Sequence, residues 1–248
     1  RTGFTRHWST ASIGGGLQNY YKITLTGFQA LFGPEATPPP RSFFAEIAPS
    51  LFAHTLHLAE VIVTTTVAAH TRRIELERFF RENELSFPVG DEQVQPDCFF
   101  RFTTGGRAFN LAFEIDESTE TIESPRDTSL QHRLELYDAY QDLLLQGWRA
   151  GGRNGERPRF RVVFLTLSVA RAYHLLAVAA HIARQPARRL VYAATQASYL
   201  GDADPLSNPL FLDQRGHWQT LIDLHPTSAA LRSPVRLPSA TSVAATVW

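Results

Sequence analysis

Methionine is absent from this 248-residue chain, lysine occurs once, at Lys22, and cysteine once, at Cys98. A lone cysteine excludes an internal disulfide and any zinc site built on several cysteines, and it fits a reducing compartment. With no methionine at its head, Arg1 is not the expected natural start, and the chain reads as a piece of a longer protein. Net charge is also missing: 24 basic residues balance 24 acidic ones. No global field therefore draws the molecule onto nucleic acid, and a DNA partner would have to be met by local basic patches. No apolar run reads as long enough to cross a membrane, and no leader peptide opens the chain. The longest such stretch, 162–182, is broken by Arg171 and reads as a strand followed by a helix. The expected location is the cytoplasm. Gly-rich phosphate loops, a Ser-His-Asp arrangement, a nucleophilic cysteine context and internal repeats are all lacking.

What is present divides the chain. Hydrophobic residues make up 44% of it, enough for one sizeable core or for a core plus a small appendage. His7 to Ala11 and Asn19 to Thr24 can pair across Gly14-Gly15-Gly16, and a short amphipathic segment follows from Thr26 to Leu31. Strand, glycine tip, strand and short helix resemble the wing of a winged-helix DNA-binding domain whose earlier helices are missing; a free hairpin is the other reading. Residues 1–33 are thus expected to be a partial winged-helix module. Residues 34–42, with Pro38-Pro39-Pro40, form a stiff linker. Residues 43–225 form the main α/β domain, and 226–248 a weakly ordered tail. Within the main domain the pattern predicts a helix over 50–70, a strand over 74–80 and a hairpin of 98–103 with 107–115. An amphipathic helix over 127–148, a strand over 160–167, a helix over 169–184 and a strand over 189–194 follow. That order implies a mixed sheet flanked by helices.

The chemistry centres on three acids. Glu114 and Asp116 sit two apart near the end of an apolar strand, so both project to one face while Ile115 faces the other. Asp97, after Pro96, opens the neighbouring strand, and hairpin pairing would bring it near them. Oxygen ligands of this kind suit Mg²⁺ or Mn²⁺, which polarise a phosphodiester and activate water. The bland alternative is a solvated strand end whose acids pair with arginines.

That order of helix, strand, Pro-Asp hairpin, Glu-x-Asp and helix resembles the restriction-endonuclease-like PD-(D/E)xK core. Four pieces together are similar to the replication-relaxation family of plasmid and mobile-element proteins: Tyr-Lys-Ile-Thr-Leu-Thr-Gly-Phe from Tyr21, Leu-Phe-Ala-His-Thr-Leu from Leu51, Gln-Pro-Asp-Cys-Phe-Phe from Gln95, and Phe-Glu-Ile-Asp-Glu-Ser-Thr-Glu from Phe113. The Leu-Gln-His-Arg-Leu-Glu-Leu-Tyr-Asp-Ala-Tyr segment from Leu130 continues the likeness, which spans roughly residues 20–224. It implies a DNA-binding protein acting in replication, relaxation or mobilisation, with a metal-dependent nuclease among its activities. It also implies a lysine two residues after Glu114, where this chain has Asp116. His132 or Arg133 on the next helix could supply the missing basic group, and of the two only His132 can transfer a proton.

Arginines cluster at Arg72-Arg73, along Arg149, Arg153, Arg157, Arg159 and Arg161, and at Arg184, Arg188 and Arg189. They could follow a phosphate backbone, or be balanced by the acidic 114–127 region. His54 and His57 lie three apart on a helix, with His70 beyond, without the third ligand that zinc needs at fixed spacing. Glu84, Glu117 and Glu120 read as surface acids, His174 and His181 as helix-surface groups, and Tyr137 and Tyr140 as packing residues rather than nucleophiles. Three functions remain open: a Mg²⁺- or Mn²⁺-dependent DNA endonuclease, a nuclease-like protein that binds DNA or serves as an adaptor without cleaving, and a structural interaction domain in a larger assembly that contacts protein through the 98–115 hairpin and the 169–184 helix.

Overall fold

The computed structural model describes residues 3–11, 17–124, 129–224, 235 and 237. Two compact units divide at Ala53/His54. In the first, β1 (Thr5–Ala11) pairs antiparallel with β2 (Leu17–Ile23), and α1 (Leu25–Phe32) and a single turn, α2 (Arg41–Phe44), follow. Thr24 caps α1 by accepting from the Gly27 amide. Gly27 is obligatory, because a Cβ there would lie 2.1 Å from the Phe4 carbonyl oxygen. The hairpin and helix expected in this region are present; the Gly14-Gly15-Gly16 tip and most of the 226–248 tail lie outside the described residues. The proline-rich segment falls inside this unit.

Helix α3 (Pro49–Thr71) contains the unit boundary. By length and composition it could cross a membrane, with a mean hydropathy of 1.3. The expectation that no segment reaches that length is corrected here: Glu60 is its only Asp, Glu, Lys or Arg, and scattered His and Thr lower its hydropathy without shortening it. Leu58, Val61, Ala68 and Ala69 of α3 are buried in the core of the second unit.

The second unit continues with β3 (Glu75–Arg81), a small hairpin of β4 (Phe87–Val89) and β5 (Glu92–Val94), then β6 (Cys98–Thr104), β7 (Arg107–Asp116), α4 (Leu130–Ala150), β8 (Arg161–Thr166), α5 (Val169–Ile182), β9 (Val191–Thr195), α6 (Gln196–Leu200), β10 (Phe211–Asp213) and β11 (Trp218–Gln219). Seven strands form one mixed sheet in the order β11-β10-β9-β8-β7-β6-β3. β3, β6 and β7 pair antiparallel; β7, β8 and β9 run parallel, joined through α4 and α5. Gly105 and Gly106 turn β6 into β7 with φ of 55° and 71°, the left-handed backbone that a two-residue hairpin turn needs.

Alternation along the central strands separates two cores. Leu111, Phe113, Ile115, Val163 and Leu165 join the α3 side. Ala112, Val162 and Phe164 join Leu134, Tyr137, Leu175 and Leu176 of α4 and α5. Strands covered on both faces become almost continuously apolar, as β8 is. Against that background Glu114 and Asp116 are anomalous: two acids on a buried face.

Candidate functional site

The parallel strands all end at one rim, where α5 and α6 begin. Ser168 caps α5 and Thr195 caps α6, each accepting from a backbone amide three residues on. Asp97 arrives at this rim because its amide donates to the Phe113 carbonyl at 3.0 Å, extending the β6–β7 ladder by one residue. Its Oδ2 accepts from the Ile115 amide at 2.6 Å, and Oδ1 lies 3.4 Å from His54 Nε2. That carboxylate holds the His54 imidazole above its ordinary pKa, outweighing the lowering by burial.

Glu114 and Asp116 share the face expected of them, and both meet arginine there. Arg133 Nη1 donates to Glu114 Oε2 at 2.6 Å and the Tyr137 hydroxyl to Oε1 at 2.5 Å, leaving the residue 1% exposed. Burial pushes Glu114 up to about 7, with Arg133 and Tyr137 pulling the other way and Asp97 adding to the rise. The same carboxylate raises the Arg133 guanidinium further, and burial and Glu114 raise the Tyr137 phenol. Asp116 takes both Nε and Nη2 of Arg171, the latter at 2.8 Å to Oδ1, and the Ser118 amide at 3.0 Å. Arg171 also donates to the Glu120 carbonyl at 2.6 Å, tying the 117–124 loop to α5.

A cleft of about 360 Å³ opens beside this rim, lined in part by Glu82, Asp97, His132, Arg133 and Leu136. Of the sequence candidates it brings Asp97, His132 and Arg133 together. Glu114 lies behind Arg133, and neither it nor Asp116 lines the cleft. His132 Nε2 is 2.9 Å from Glu92 on β5, so its hydrogen-bond partner is a surface acid.

An Mg²⁺ held by Asp97, Glu114 and Asp116 does not fit this donor set. Both oxygens of Glu114, both of Asp116 and one of Asp97 already accept from protein donors. Two of those donors are guanidinium cations, which occupy the place of the metal's charge. Among the described residues, those that do offer ligand atoms to one point are His54, Glu82 and Asp97, with one such atom of each within 4.8 Å of the others. Sequence spacing sets His54 only beside other histidines and gives Glu82 no role; Glu84, read as a surface acid, accepts from the Arg81 amide. Glu117 is not a plain surface acid either: His57 Nδ1 lies 2.7 Å from it and Gln196 donates to it at 3.3 Å. Arg171 has a visible signal, the single charge interrupting an apolar stretch.

The arginine candidates sit at the other end of the sheet. β7 enters at Arg107 and leaves at Asp116, and seven residues of strand separate Arg107 from Glu114 by about 23 Å. Arg72 and Arg73 close α3 just before β3, at the Arg107 end; Arg72 pairs with Asp204 at 2.7 Å, and Arg73 has a φ of 55°. Arg149 ends α4, and Arg153, Arg157 and Arg159 follow in the exposed connection to β8. Arg188 instead locks Asp138 and Asp142 of α4, and Arg189 pairs with Asp213.

Comparison of the chain with protein-family models, with curated proteins and with solved structures finds no match.

Proposed function

We propose that this chain is a nuclease-like DNA-binding protein of the plasmid and mobile-element kind, one that grips DNA without cutting it. The observation that carries the reading is Glu114, sealed between Arg133 and Tyr137 at 1% exposure. In a metal-dependent nuclease this carboxylate must meet solvent, metal and phosphate. Here a cation of the protein's own chain stands in that place, and Asp116, where the PD-(D/E)xK pattern calls for lysine, is neutralised in the same way by Arg171. The restriction-endonuclease-like ancestry draws support from the order of α3, antiparallel β3, β6 and β7, then α4 and parallel β8. The β1–β2 hairpin with α1 supports the partial winged-helix reading, and exposed arginines supply local charge for phosphate. Such a protein would act in the cytoplasm, within a replication, relaxation or mobilisation complex that includes a protein partner.

Incubation with supercoiled plasmid, with and without Mg²⁺ or Mn²⁺, tests this reading. The expected result is retarded migration that weakens with salt, and no nicked product with either metal. Nicking that disappears in Asp97→Ala would overturn it. One observation favours a cleaving alternative: His54, Glu82 and Asp97 could gather a divalent ion at the cleft. That alternative expects nicking with Mn²⁺ that is lost in His54→Ala and retained in Glu114→Gln.

A further inference from the structure

The rim away from the acids holds a larger cleft, about 730 Å³, between the β6–β7 hairpin and residues 156–161. Arg101, Arg107, Arg157, Arg159 and Arg161 line it, against Glu156 alone among acids. Arg107, Arg157 and Arg159 are exposed, and no carboxylate pairs with them among the described residues. Arg101 is already offset by Glu77 at 2.7 Å, but the three exposed guanidinium groups repel one another unless an anion from outside offsets them. Their positions are built into the fold. Asn110 on β7 donates to the Arg159 carbonyl at 2.8 Å, and Gln141 on α4 donates to the Pro158 carbonyl at 3.1 Å while accepting from the Phe160 amide. Arg101 donates to Asn110 at 3.1 Å, and Arg107 and Arg161 lie over the Phe109 ring at 5.0 and 5.7 Å. Arg161 also donates to the Leu221 carbonyl, whereas the Arg107 guanidinium, resting on the ring, keeps its N–H groups for phosphate oxygens.

Phe87, Phe99, Phe109, Tyr140 and Phe160 give the lining an aromatic side. Tyr140, half-buried, stacks on Phe87 at 4.7 Å with an interplanar angle of 4°. A ligand suited to this cavity carries phosphates for the arginines and a flat ring for the aromatic side. Its bulk is that of a small ligand, since pockets for such ligands span about 300–1,000 Å³, too little for a duplex to enter. We infer that this cleft takes a short stretch of single-stranded nucleic acid, with phosphates on Arg107, Arg157 and Arg159 and a base against Tyr140. The inference rests on the DNA-binding reading above and adds to it the strandedness and the surface.

Fluorescence anisotropy of the full chain with a labelled oligothymidylate of about 12 nucleotides, in the site-size range of single-strand binders, measures the interaction directly. The same titration is run with a duplex of matched length and with a polyglutamate peptide. The single strand is expected to bind at least about tenfold tighter than the duplex. Arg157→Ala/Arg159→Ala should weaken it about tenfold or more and flatten the log–log salt dependence by about 0.7 for each phosphate no longer neutralised. Tyr140→Leu should weaken it several-fold with the salt slope unchanged, and Arg78→Ala, on the same unit but outside the cleft, should leave it as in the parent. Because Arg157 and Arg159 are exposed, their variants should melt at the parent's temperature. Duplex binding as tight as the single strand, or full affinity in the arginine variant, overturns the assignment while leaving the DNA-binding reading standing. Equal binding of polyglutamate assigns the cleft to an acidic protein and also overturns it. Binding of neither nucleic acid removes both.

Discussion

Arg133 on α4 and Glu114 on β7 form a contact of 2.6 Å whose carboxylate is 2% exposed at the side chain. A buried charge of this kind depends on its partner more than it stabilises the fold. Arg133→Ala is therefore expected to cost about 3–5 kcal/mol at about pH 8, where Glu114 is ionised. Arg133→Ala/Glu114→Gln should recover much of that loss. Urea denaturation of the parent, the single and the double variant gives the comparison; a loss below about 1 kcal/mol in the single variant would remove the pair from the account of this site.

Tyr137→Phe isolates the second donor. The phenol is fully buried and gives its proton to Glu114 Oε1. Removing the hydroxyl leaves the ring packing in place and one carboxylate oxygen unsatisfied, so a loss of about 1–3 kcal/mol is expected. A Tyr137→Phe protein as stable as the parent would mean that water reaches Glu114.

The pH dependence has a defined sign. Glu114 binds its proton more tightly folded than unfolded, with a folded pKa of about 7 against an ordinary value of 4.5. Its contribution is fully present below the unfolded value and is lost as pH rises through about 7, up to about 3 kcal/mol across that window. His54 is also raised above its ordinary 6.5, by Asp97, so its contribution is present below 6.5 and fades as pH rises through its folded value. Stability measured by denaturant should therefore decline from acid to alkaline pH. Glu114→Gln should flatten the part below about 7, and His54→Gln the part above 6.5. Parallel profiles for parent and Glu114→Gln would show that the carboxylate stays ionised throughout.

The large periodic elements were legible because burial writes them into the chain. Alternation in 98–115 gave the hairpin, the two-glycine turn gave its register, and the apolar period of 51–69 gave α3. The short additions were not legible. β10 and β11 have three and two residues, too few for a period, and join the sheet only because β9 offers an open edge. β4 and β5 likewise close around Gly90 and Asp91 with three residues each. At the site, the shared face of Glu114 and Asp116 followed from strand geometry alone. Their occupants did not: Arg171 lies 55 residues from Asp116, and only packing of α5 on the sheet brings the two together. The arginine clusters look alike in sequence, yet Arg188 is buried in ion pairs while Arg157 is exposed and meets no carboxylate among the described residues, a difference of tertiary position and not of local sequence.

Metal behaviour follows from which oxygens are committed. Glu114 and Asp116 accept from protein donors on both oxygens, so a cation approaching them must displace a guanidinium held by a full charge. His54, Glu82 and Asp97 need no such displacement, and their imidazole suits Mn²⁺ or Zn²⁺ better than Mg²⁺, which prefers an all-oxygen shell. Because a protonated imidazole cannot ligate, and Asp97 keeps His54 protonated to a higher pH than usual, any uptake should strengthen on raising the pH. Thermal melts at about pH 8 are expected to show no shift with Mg²⁺, and any rise with Mn²⁺ or Zn²⁺ should vanish in His54→Ala and Glu82→Ala but persist in Asp116→Asn. A rise with Mg²⁺ that Glu114→Gln abolishes would return the metal to the buried acids. The arginines would then be movable gates and not permanent occupants, and cleavage would again be the expected activity.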